Sequence, residues 1–186
     1  SWTKTNMANA IYIEDPDTKL FAAYVAGAGV NGGTKYIASQ QSFWVLATDA
    51  SPELRIREGV KSSVDAVFFS PEPLSPGMNI RLSGFDKADE VVLRHDEGAS
   101  LDMEYAYDAQ DLFGGWGVQP QISFLNPEGK DLAIHSFDKG FQAWEIPMRV
   151  IVFESGMYDL TFNQIFEMGV PCMMLEDVYT NEMYPI

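Results

Sequence analysis

The feature that most constrains this chain is a succession of short apolar runs, each separated from the next by a turn signal. Examples are LFAAYV, SFWVLA, MNIRLSG, DEVVLRH, QISFL, DLAIHSF and MRVIVF. The turn signals include Asp15-Pro16-Asp17, Asn126-Pro127 and Ser155-Gly156. Strands that recur about every 8 to 12 residues are typical of sandwiches and barrels. The pattern therefore predicts an all-β protein, an antiparallel β-sandwich of the jelly-roll or immunoglobulin-like type.

Residue alternation inside the runs favours the same fold class. In MNIRLSG, Met78, Ile80 and Leu82 face one way and the polar residues between them face the other, as in a half-buried strand. A helical pattern occurs in SLDMEYAYDAQDLFGG, where apolar residues can share one face before two glycines. One short helix is therefore expected near residues 103–113.

The stretch VAGAGVNGG, residues 25–33, contains a literal G-x-G-x-x-G motif. A dinucleotide-binding loop needs a helix directly after the glycines, because the free N–H groups of the helix N-terminus hold the pyrophosphate. The residues that follow, TKYIASQQSFWVLAT, are β-branched and aromatic runs with no helical period. We interpret the glycines as a tight connection between strands.

Length and composition suit one sandwich domain over residues 1–186. A chain of 186 residues buries about 70% of its unfolded surface without needing disulfides. The proline-rich segment FSPEPLSPG is interpreted as a crossover within the sandwich. The single cysteine, Cys172, excludes an internal disulfide and is predicted to be a buried strand residue. Because the chain starts at Ser1 without Met, it is expected to be a fragment of a larger secreted precursor.

The charge of the chain restricts its partners. The 27 Asp and Glu residues against 12 Lys and Arg residues give a net charge of −15, which repels nucleic-acid phosphates and anionic membranes. No apolar run reaches the roughly 18 to 20 residues that a membrane-spanning helix needs. The sequence therefore predicts no nucleic-acid partner and no membrane insertion.

Several motifs occur in an order that matches a known pattern. They are QSFWV (41–45), DEVVLR (89–94), YDAQDLF (107–113), LAIH (132–135), YDLT (158–161) and LEDVYT (175–180). Together they resemble the β-sandwich module that precedes the C-terminal sorting domain in proteins of the Bacteroidetes type IX secretion system. The resemblance covers nearly the whole chain and implies an extracellular or cell-surface location. Asp111 and His135 depart from it, since the family usually has Lys and Asn there.

The chain carries no catalytic motif of the common hydrolases. It lacks G-x-S-x-G, and its two histidines, His95 and His135, are isolated in sequence. The leading hypothesis is a non-catalytic structural or adhesive module, which packs against other domains of its precursor or copies of itself through sheet edges. A glycan-active enzyme using two carboxylates is a further alternative, because acidic residues are abundant.

Calcium is the one cofactor for which the sequence supplies a hypothesis. Carboxylates are dense between residues 86 and 111, and a turn-rich stretch such as RHDEGASLDMEYAYD can supply the oxygen ligands that calcium prefers. The candidate ligands are Asp96, Glu97, Asp102, Glu104 and Asp108. A solvated acidic face is the other interpretation of the same cluster.

Aromatic residues raise the alternative of a carbohydrate-binding module with an extracellular glycan as ligand. Trp116 lies among glycines in GGWGVQP and is the tryptophan most expected to be exposed. Trp116 and Tyr107 are the candidate sugar-stacking residues. The other interpretation of Trp116 is structural: a loop tryptophan can close the end of the sandwich.

Overall fold

The structure is a computed structural model that describes residues 2–63, 76–138, 144–166, 168–170 and 172–186. The described residues form strands joined by turns, with one 3-10 helix at Glu58–Val60. The strands are β1 (Trp2–Thr5), β2 (Met7–Glu14), β3 (Phe21–Val25), β4 (Ala28–Val30), β5 (Trp44–Ala47), β6 (Glu53–Ile56), β7 (Gly77–Gly84), β8 (Lys87–His95), β9 (Ala109–Gln110), β10 (Gln121–Leu125), β11 (Asp131–Phe137), β12 (Met148–Ile151), β13 (Asp159–Phe166), β14 (Met174–Asp177) and β15 (Glu182–Pro185).

These strands form two larger sheets and two small ones. The four-stranded sheet has the order β4-β3-β2-β5, and the seven-stranded sheet has the order β12-β10-β11-β8-β7-β13, with β9 paired to β11. The pairs β1–β6 and β14–β15 form separate two-stranded sheets. All pairings are antiparallel except β8–β11, which is parallel. The predicted all-β sandwich is confirmed, with one parallel pair that the sequence did not indicate.

The two larger sheets pack face to face around a first core cluster. It combines residues from both sheets, namely Ala10, Tyr12, Ala23, Val25, Ala28, Val30, Val92, Ala109, Ala133 and Ile134. A second cluster lies on the other face of the seven-stranded sheet and includes Ile80, Val91, Leu93 and Phe124. β8 is buried on both faces, which explains why it contains consecutive apolar residues.

The glycine-rich stretch is a connection between strands, as predicted. β3 and β4 are joined by Ala26 and Gly27, whose φ angles of 47° and 92° are those of a two-residue hairpin turn. Gly33 lies against β3, and a Cβ at this position would lie 2.0 Å from the carbonyl oxygen of Ala23. No helix occurs in the residues that follow, up to β5. The glycines therefore serve close backbone packing and not phosphate binding.

The short helix expected near residues 103–113 is reduced to one turn. The carbonyl of Glu104 accepts a hydrogen bond from the N–H of Asp108 at 2.8 Å, and the chain then enters β9. The fully buried carboxylate of Asp108 accepts from the backbone N–H groups of Glu104 and Ser136, at 2.8 and 2.7 Å. These bonds and the pairing of β9 with β11 replace the hydrogen bonds that a longer helix would make.

Three further expectations have three different outcomes. Cys172 is exposed, so its predicted burial is wrong, because the segment leads into the hairpin β14–β15, which pairs with no other sheet of the described residues. Most of the proline-rich segment lies outside the described residues, and the single domain over residues 1–186 stays a prediction. No helix in the described part of the chain has the length and apolar character needed to cross a membrane.

Candidate functional site

The loop between β9 and β10 holds Trp116 at the surface in a fixed backbone conformation. A Cβ on Gly114 would lie 1.9 Å from the carbonyl oxygen of Lys19, so only glycine allows the loop to pack against the β2–β3 turn. The carbonyl of Gly114 accepts a hydrogen bond from Nε2 of Gln121 at 2.6 Å. The carbonyl of Gly115 accepts from the N–H of Val118 at 3.0 Å. The loop is therefore preorganised.

Trp116 is the centre of an exposed aromatic group, which we call the aromatic cluster and which consists of Phe113, Trp116 and Phe153. The ring centroid of Trp116 lies 6.4 Å from that of Phe113 and 5.2 Å from that of Phe153, both in edge-to-face geometry. Trp116 is nevertheless 64% exposed. The predicted exposure of Trp116 is confirmed, whereas its role in sugar binding stays a prediction.

Tyr107, the other sugar-stacking candidate, does not belong to the aromatic cluster. Its side chain is half-buried, and its carbonyl accepts a hydrogen bond from Oγ of Ser136 at 3.3 Å. Among the ring contacts of the described residues, none joins Tyr107 to Trp116. The aromatic cluster therefore contains one of the two sugar-stacking candidates, Trp116.

Two of the five predicted calcium ligands are engaged inside the fold. The carboxylate of Asp96 forms an ion pair with Arg94, with 2.6 Å between Oδ2 and Nε. Asp108 is fully buried, and each of its carboxylate oxygens accepts a backbone N–H. Nδ1 of His135 lies 3.6 Å from Oδ1 of Asp108. These carboxylates hold strands and turns together.

The other three predicted ligands are not assembled into a site. Glu97 and Asp102 are exposed, and Glu104 accepts a hydrogen bond from Oγ of Ser100 at 2.6 Å. Within the described ranges, no group of three or more His, Cys, Asp or Glu side chains is arranged to hold a metal ion. The structure does not bring the five predicted ligands together.

A different set of acidic residues does come together, at a small cavity between the two larger sheets. The cavity has a volume of about 10 Å³, close to the room that one water molecule needs. Its polar lining is Tyr12, Asn31, Asp89, Glu90, Gln110 and Asp111. We call this the acidic cavity.

Asp89 is held in the acidic cavity by neutral donors from three parts of the fold. Its Oδ1 accepts from Nδ2 of Asn31 and from the N–H of Glu90, both at 2.9 Å, and its Oδ2 accepts from the N–H of Ile122 at 3.0 Å. Burial raises the pKa of Asp89 to about 6, although these hydrogen bonds oppose the shift. Asp89 thus ties β8 to β10 and to the end of β4.

Asp111 connects the acidic cavity to the loop that carries Trp116. Its Oδ1 accepts a hydrogen bond from the N–H of Phe113 at 2.8 Å. Burial, together with the negative charges of Asp89 and Asp131, raises the pKa of Asp111 to about 7. The ion pairs found among the described residues include neither Asp89 nor Asp111.

Tyr12 adds a hydroxyl to the acidic cavity, and this hydroxyl has no hydrogen-bond partner among the described residues. The side chain is only 2% exposed, and burial raises the pKa of Tyr12 well above its usual range. The backbone of Gln110 approaches the hydroxyl and partly opposes this shift, without the geometry of a hydrogen bond. A buried polar group of this kind is costly unless something satisfies it.

The sequence did not select the residues of the acidic cavity. Asp89 and Asp111 belong to the acidic stretch between residues 86 and 111, but neither was among the five chosen ligands. Tyr12 lies in an apolar run and has no acidic neighbour closer in sequence than Glu14. Only the packing of the four-stranded sheet on the seven-stranded sheet brings Tyr12 on β2 beside Asp89 on β8, so no local pattern identifies the group.

Comparison of the chain with protein-family models, with curated proteins and with solved structures found no match. The fold and two local features therefore define the class: an all-β sandwich with an exposed, preorganised aromatic cluster and a buried acidic cavity.

Proposed function

We propose that this chain is a non-catalytic structural or adhesive module of a secreted or cell-surface protein. The location and the assignment to the type IX secretion system follow from the motifs that resemble the module preceding the sorting domain. The observation that carries the adhesive function is the C-terminal hairpin β14–β15, which exposes apolar side chains and unpaired strand edges.

The hairpin is attached at its base and free at its tip. Met173 and Ile186 pack against the second core cluster, and the N–H of Ile186 donates to the carbonyl of Met173 at 3.1 Å. At the tip, Val178 and Tyr179 are 81% and 92% exposed. Exposed apolar residues grouped on one protrusion are typical of a contact surface.

The edges of the hairpin suit association by strand addition. β14 and β15 pair only with each other within the described ranges, so each strand has an outer edge with unpaired backbone groups. Such edges recruit a strand from another chain or segment. We therefore assign the contact to another copy of this chain or to a neighbouring domain of the same precursor.

Light scattering over a range of protein concentrations tests association with copies. We expect the mass of the wild-type chain to rise toward that of a dimer, and we expect Met183→Lys, which places a charge on β15, to remain a monomer. Val118→Lys is the matched control, since Val118 is equally apolar and exposed but lies in a loop. Association through the hairpin is contradicted if the wild-type chain stays monomeric, or if both variants lose association to the same extent.

Carbohydrate binding is the second candidate function, and the aromatic cluster favours it. An exposed ring on a preorganised loop loses little conformational entropy when it stacks on a ligand. The net charge of −15 repels anionic polysaccharides. The expected ligand is therefore a neutral glycan.

A polysaccharide pull-down tests this candidate with two tryptophan variants. Trp116→Ala should abolish retention on a neutral polysaccharide, whereas Trp44→Ala should not. Trp44 is the matched control because it is 59% exposed but lies on β5, outside the aromatic cluster. Equal retention of both variants and the wild type excludes the aromatic cluster as the sugar site.

A glycan-active enzyme is the least supported alternative. Asp89 and Asp111 have the raised pKa values that a general acid needs. Their cavity of about 10 Å³ leaves no room for a sugar ring beside them. Hydrolysis of a glycan that is lost in Asp111→Asn would overturn this ranking.

A further inference from the structure

Asp111 connects two features that the adhesive function proposed above leaves unused, the acidic cavity and the aromatic cluster. Its side chain lines the cavity, and its Oδ1 accepts a hydrogen bond from the N–H of Phe113 at 2.8 Å. The ring of Phe113 contacts the ring of Trp116 edge to face, with 6.4 Å between centroids. A change at the Asp111 carboxylate therefore reaches Trp116 through two contacts.

The backbone of Phe113 has a conformation that depends on this hydrogen bond. Its φ angle is 45°, in the left-handed region that bulky side chains rarely adopt because of steric strain. The acceptor for its N–H is the side chain of Asp111, whereas the neighbouring Gly114 is held by a separate hydrogen bond from Gln121. When the carboxylate moves away, Phe113 is free to relax toward negative φ and to leave Trp116, while the rest of the loop stays attached.

The titratable groups around Asp111 are mostly acidic. They come from three neighbouring strands: Tyr12 on β2, Asp89 and Glu90 on β8, and Asp131 on β11. Asp131 has an ion-pair partner in Arg149, with 2.6 Å between Oδ2 and Nη1, and Oε2 of Glu90 lies 3.8 Å from Nη1 of Arg81. No Lys, Arg or His is among the described residues that line the cavity. Asp89 and Asp111 therefore repel each other when both are ionised.

Asp111 is the less firmly held of these two carboxylates. Asp89 accepts hydrogen bonds from three N–H donors in three parts of the fold, whereas the bond to Asp111 comes from the Trp116 loop itself. The repulsion is therefore relieved by movement of Asp111 toward solvent. Burial, with the charges of Asp89 and Asp131, raises the pKa of Asp111 to about 7, so its ionisation falls in the neutral range.

The protonated form of Asp111 suits the acidic cavity. A protonated carboxyl group has an O–H to donate, and the buried hydroxyl of Tyr12 in the same cavity has no hydrogen-bond partner among the described residues. Protonation occupies one carboxyl oxygen and leaves the other to accept from Phe113. Low pH therefore keeps Phe113 in place and removes the repulsion from Asp89.

We propose that the side chain of Asp111 is a pH-dependent switch for the aromatic cluster. Protonated, it lies in the acidic cavity and holds Phe113 against Trp116; ionised, it leaves the cavity and releases Phe113. The consequence for glycan retention rests on the carbohydrate-binding candidate proposed above, whereas the switch itself does not.

NMR spectra of the isotope-labelled wild-type chain test the switch without any sugar. The amide signal of Phe113 and the indole N–H signal of Trp116 should titrate together with a midpoint near pH 7. The amide of Ile80, which is buried in the second core cluster, should stay constant and exclude global unfolding. Signals of Phe113 and Trp116 that stay constant between about pH 5.5 and about pH 8.5 would overturn the proposal.

Three variants separate the charge of Asp111 from its hydrogen bond. Asp111→Asn keeps an acceptor without a titrating group, so both signals should stay near the wild-type position of low pH throughout. Asp111→Ala removes the acceptor and should resemble the wild type at high pH throughout. Asp102→Asn, at an exposed carboxylate, is the matched control and should titrate as the wild type does. A titration of Asp111→Asn equal to that of the wild type would overturn the proposal.

A pull-down on a neutral polysaccharide at the two ends of the pH range tests the consequence for binding. Retention of the wild type should weaken by up to about thirtyfold from about pH 5.5 to about pH 8.5, because apparent affinity follows the fraction of competent protein. Asp111→Asn should be retained equally at both. Retention of the wild type that is equal at both pH values, beside NMR signals that titrate, would overturn control of binding by the switch. Absence of retention at both would reject the carbohydrate candidate alone, since the NMR titration decides the switch.

Discussion

Two antiparallel hairpins of this chain have similar apolar content and opposite surroundings. In the hairpin β7–β8, Met78, Ile80, Leu82 and Val91 are all 3% exposed or less. In the hairpin β14–β15, every residue of β15 is exposed. β7 and β8 have further neighbours in β13 and β11, whereas β14 and β15 have none within the described ranges. Apolar strand residues are therefore buried by the sheets around a hairpin and not by the hairpin itself.

The difference has an energetic consequence. Burial of apolar surface contributes about 25 cal/mol per Å². β8 is buried on both faces, and the apolar residues of β7 are buried in the second core cluster. The tip of β14–β15 gains little stabilisation from burial, so it is expected to open locally at a much lower free energy than the core.

The largest effect is expected from a cavity in the core hairpin. Ile80→Ala should lower the free energy of unfolding by about 2 to 5 kcal/mol, because the second core cluster cannot collapse around the lost methyl groups. Urea denaturation measures it. Met183→Ala on β15 should change the free energy by less than about 0.5 kcal/mol. Equal costs at the two positions would mean that β14–β15 is buried in solution.

The acidic cavity beside β8 should make the protein less stable as pH rises. The folded pKa values of Asp89 and Asp111, about 6 and about 7, are raised above the ordinary aspartate value of 3.8, so the folded state binds more protons than the unfolded state. The stabilisation is complete below about pH 4 and is lost as pH rises through 6 and 7.

Between about pH 5 and pH 8 we expect a loss of about 1 to 3 kcal/mol, measured by urea denaturation in chelator so that no metal interferes. Asp111→Asn should flatten this dependence, since it removes one of the two titrating groups. Identical pH profiles of the variant and the wild type would contradict the assignment.

The turn of the core hairpin should give a smaller effect of opposite sign. Phe85 and Asp86 join β7 to β8 with φ angles of 56° and 61°, a conformation that favours glycine at the second position. Asp86→Gly should therefore raise stability by up to about 1 kcal/mol. Asn181→Gly, at a φ of 58° in the exposed hairpin, should leave the Tm unchanged. A lower Tm of Asp86→Gly would contradict strain at this turn.

The smallest effect is expected at the tip of β14–β15, with a pH dependence opposite to that of the acidic cavity. Hydrogen bonds from the N–H of Tyr179 and from Thr180 lower the pKa of Asp177. The turn is therefore stabilised above the unfolded pKa of Asp177 and weakened as pH falls through the folded value. The amide shift of Tyr179 in NMR spectra should report this titration in acid. A shift that follows global unfolding instead would show that the tip is not independent.

The fold class was predictable because alternation and turn residues act locally. Met78, Ile80 and Leu82 alternate with polar residues, and this pattern is sufficient to orient β7 toward the core. The exposed position of Trp116 was also predictable, because glycines on both sides keep the chain in a loop. The reduction of the expected helix near residues 103–113 to one turn was not predictable. The buried carboxylate of Asp108 ends the turn by accepting a hydrogen bond from the N–H of Ser136, which is far away in sequence.

By itself the sequence determined strands, turns, net charge and the exposed tryptophan, all of which depend on residues within a few positions of one another. Only the tertiary structure decided that Asp89 is buried, since its partners Asn31, just after β4, and Ile122, on β10, are distant in sequence. The same applies to Cys172, whose apolar neighbours predict burial but which is exposed just before a hairpin that pairs with no other strand of the described residues. Burial and proton affinity depend on what packs against a residue, and that is a property of strand order and not of local pattern.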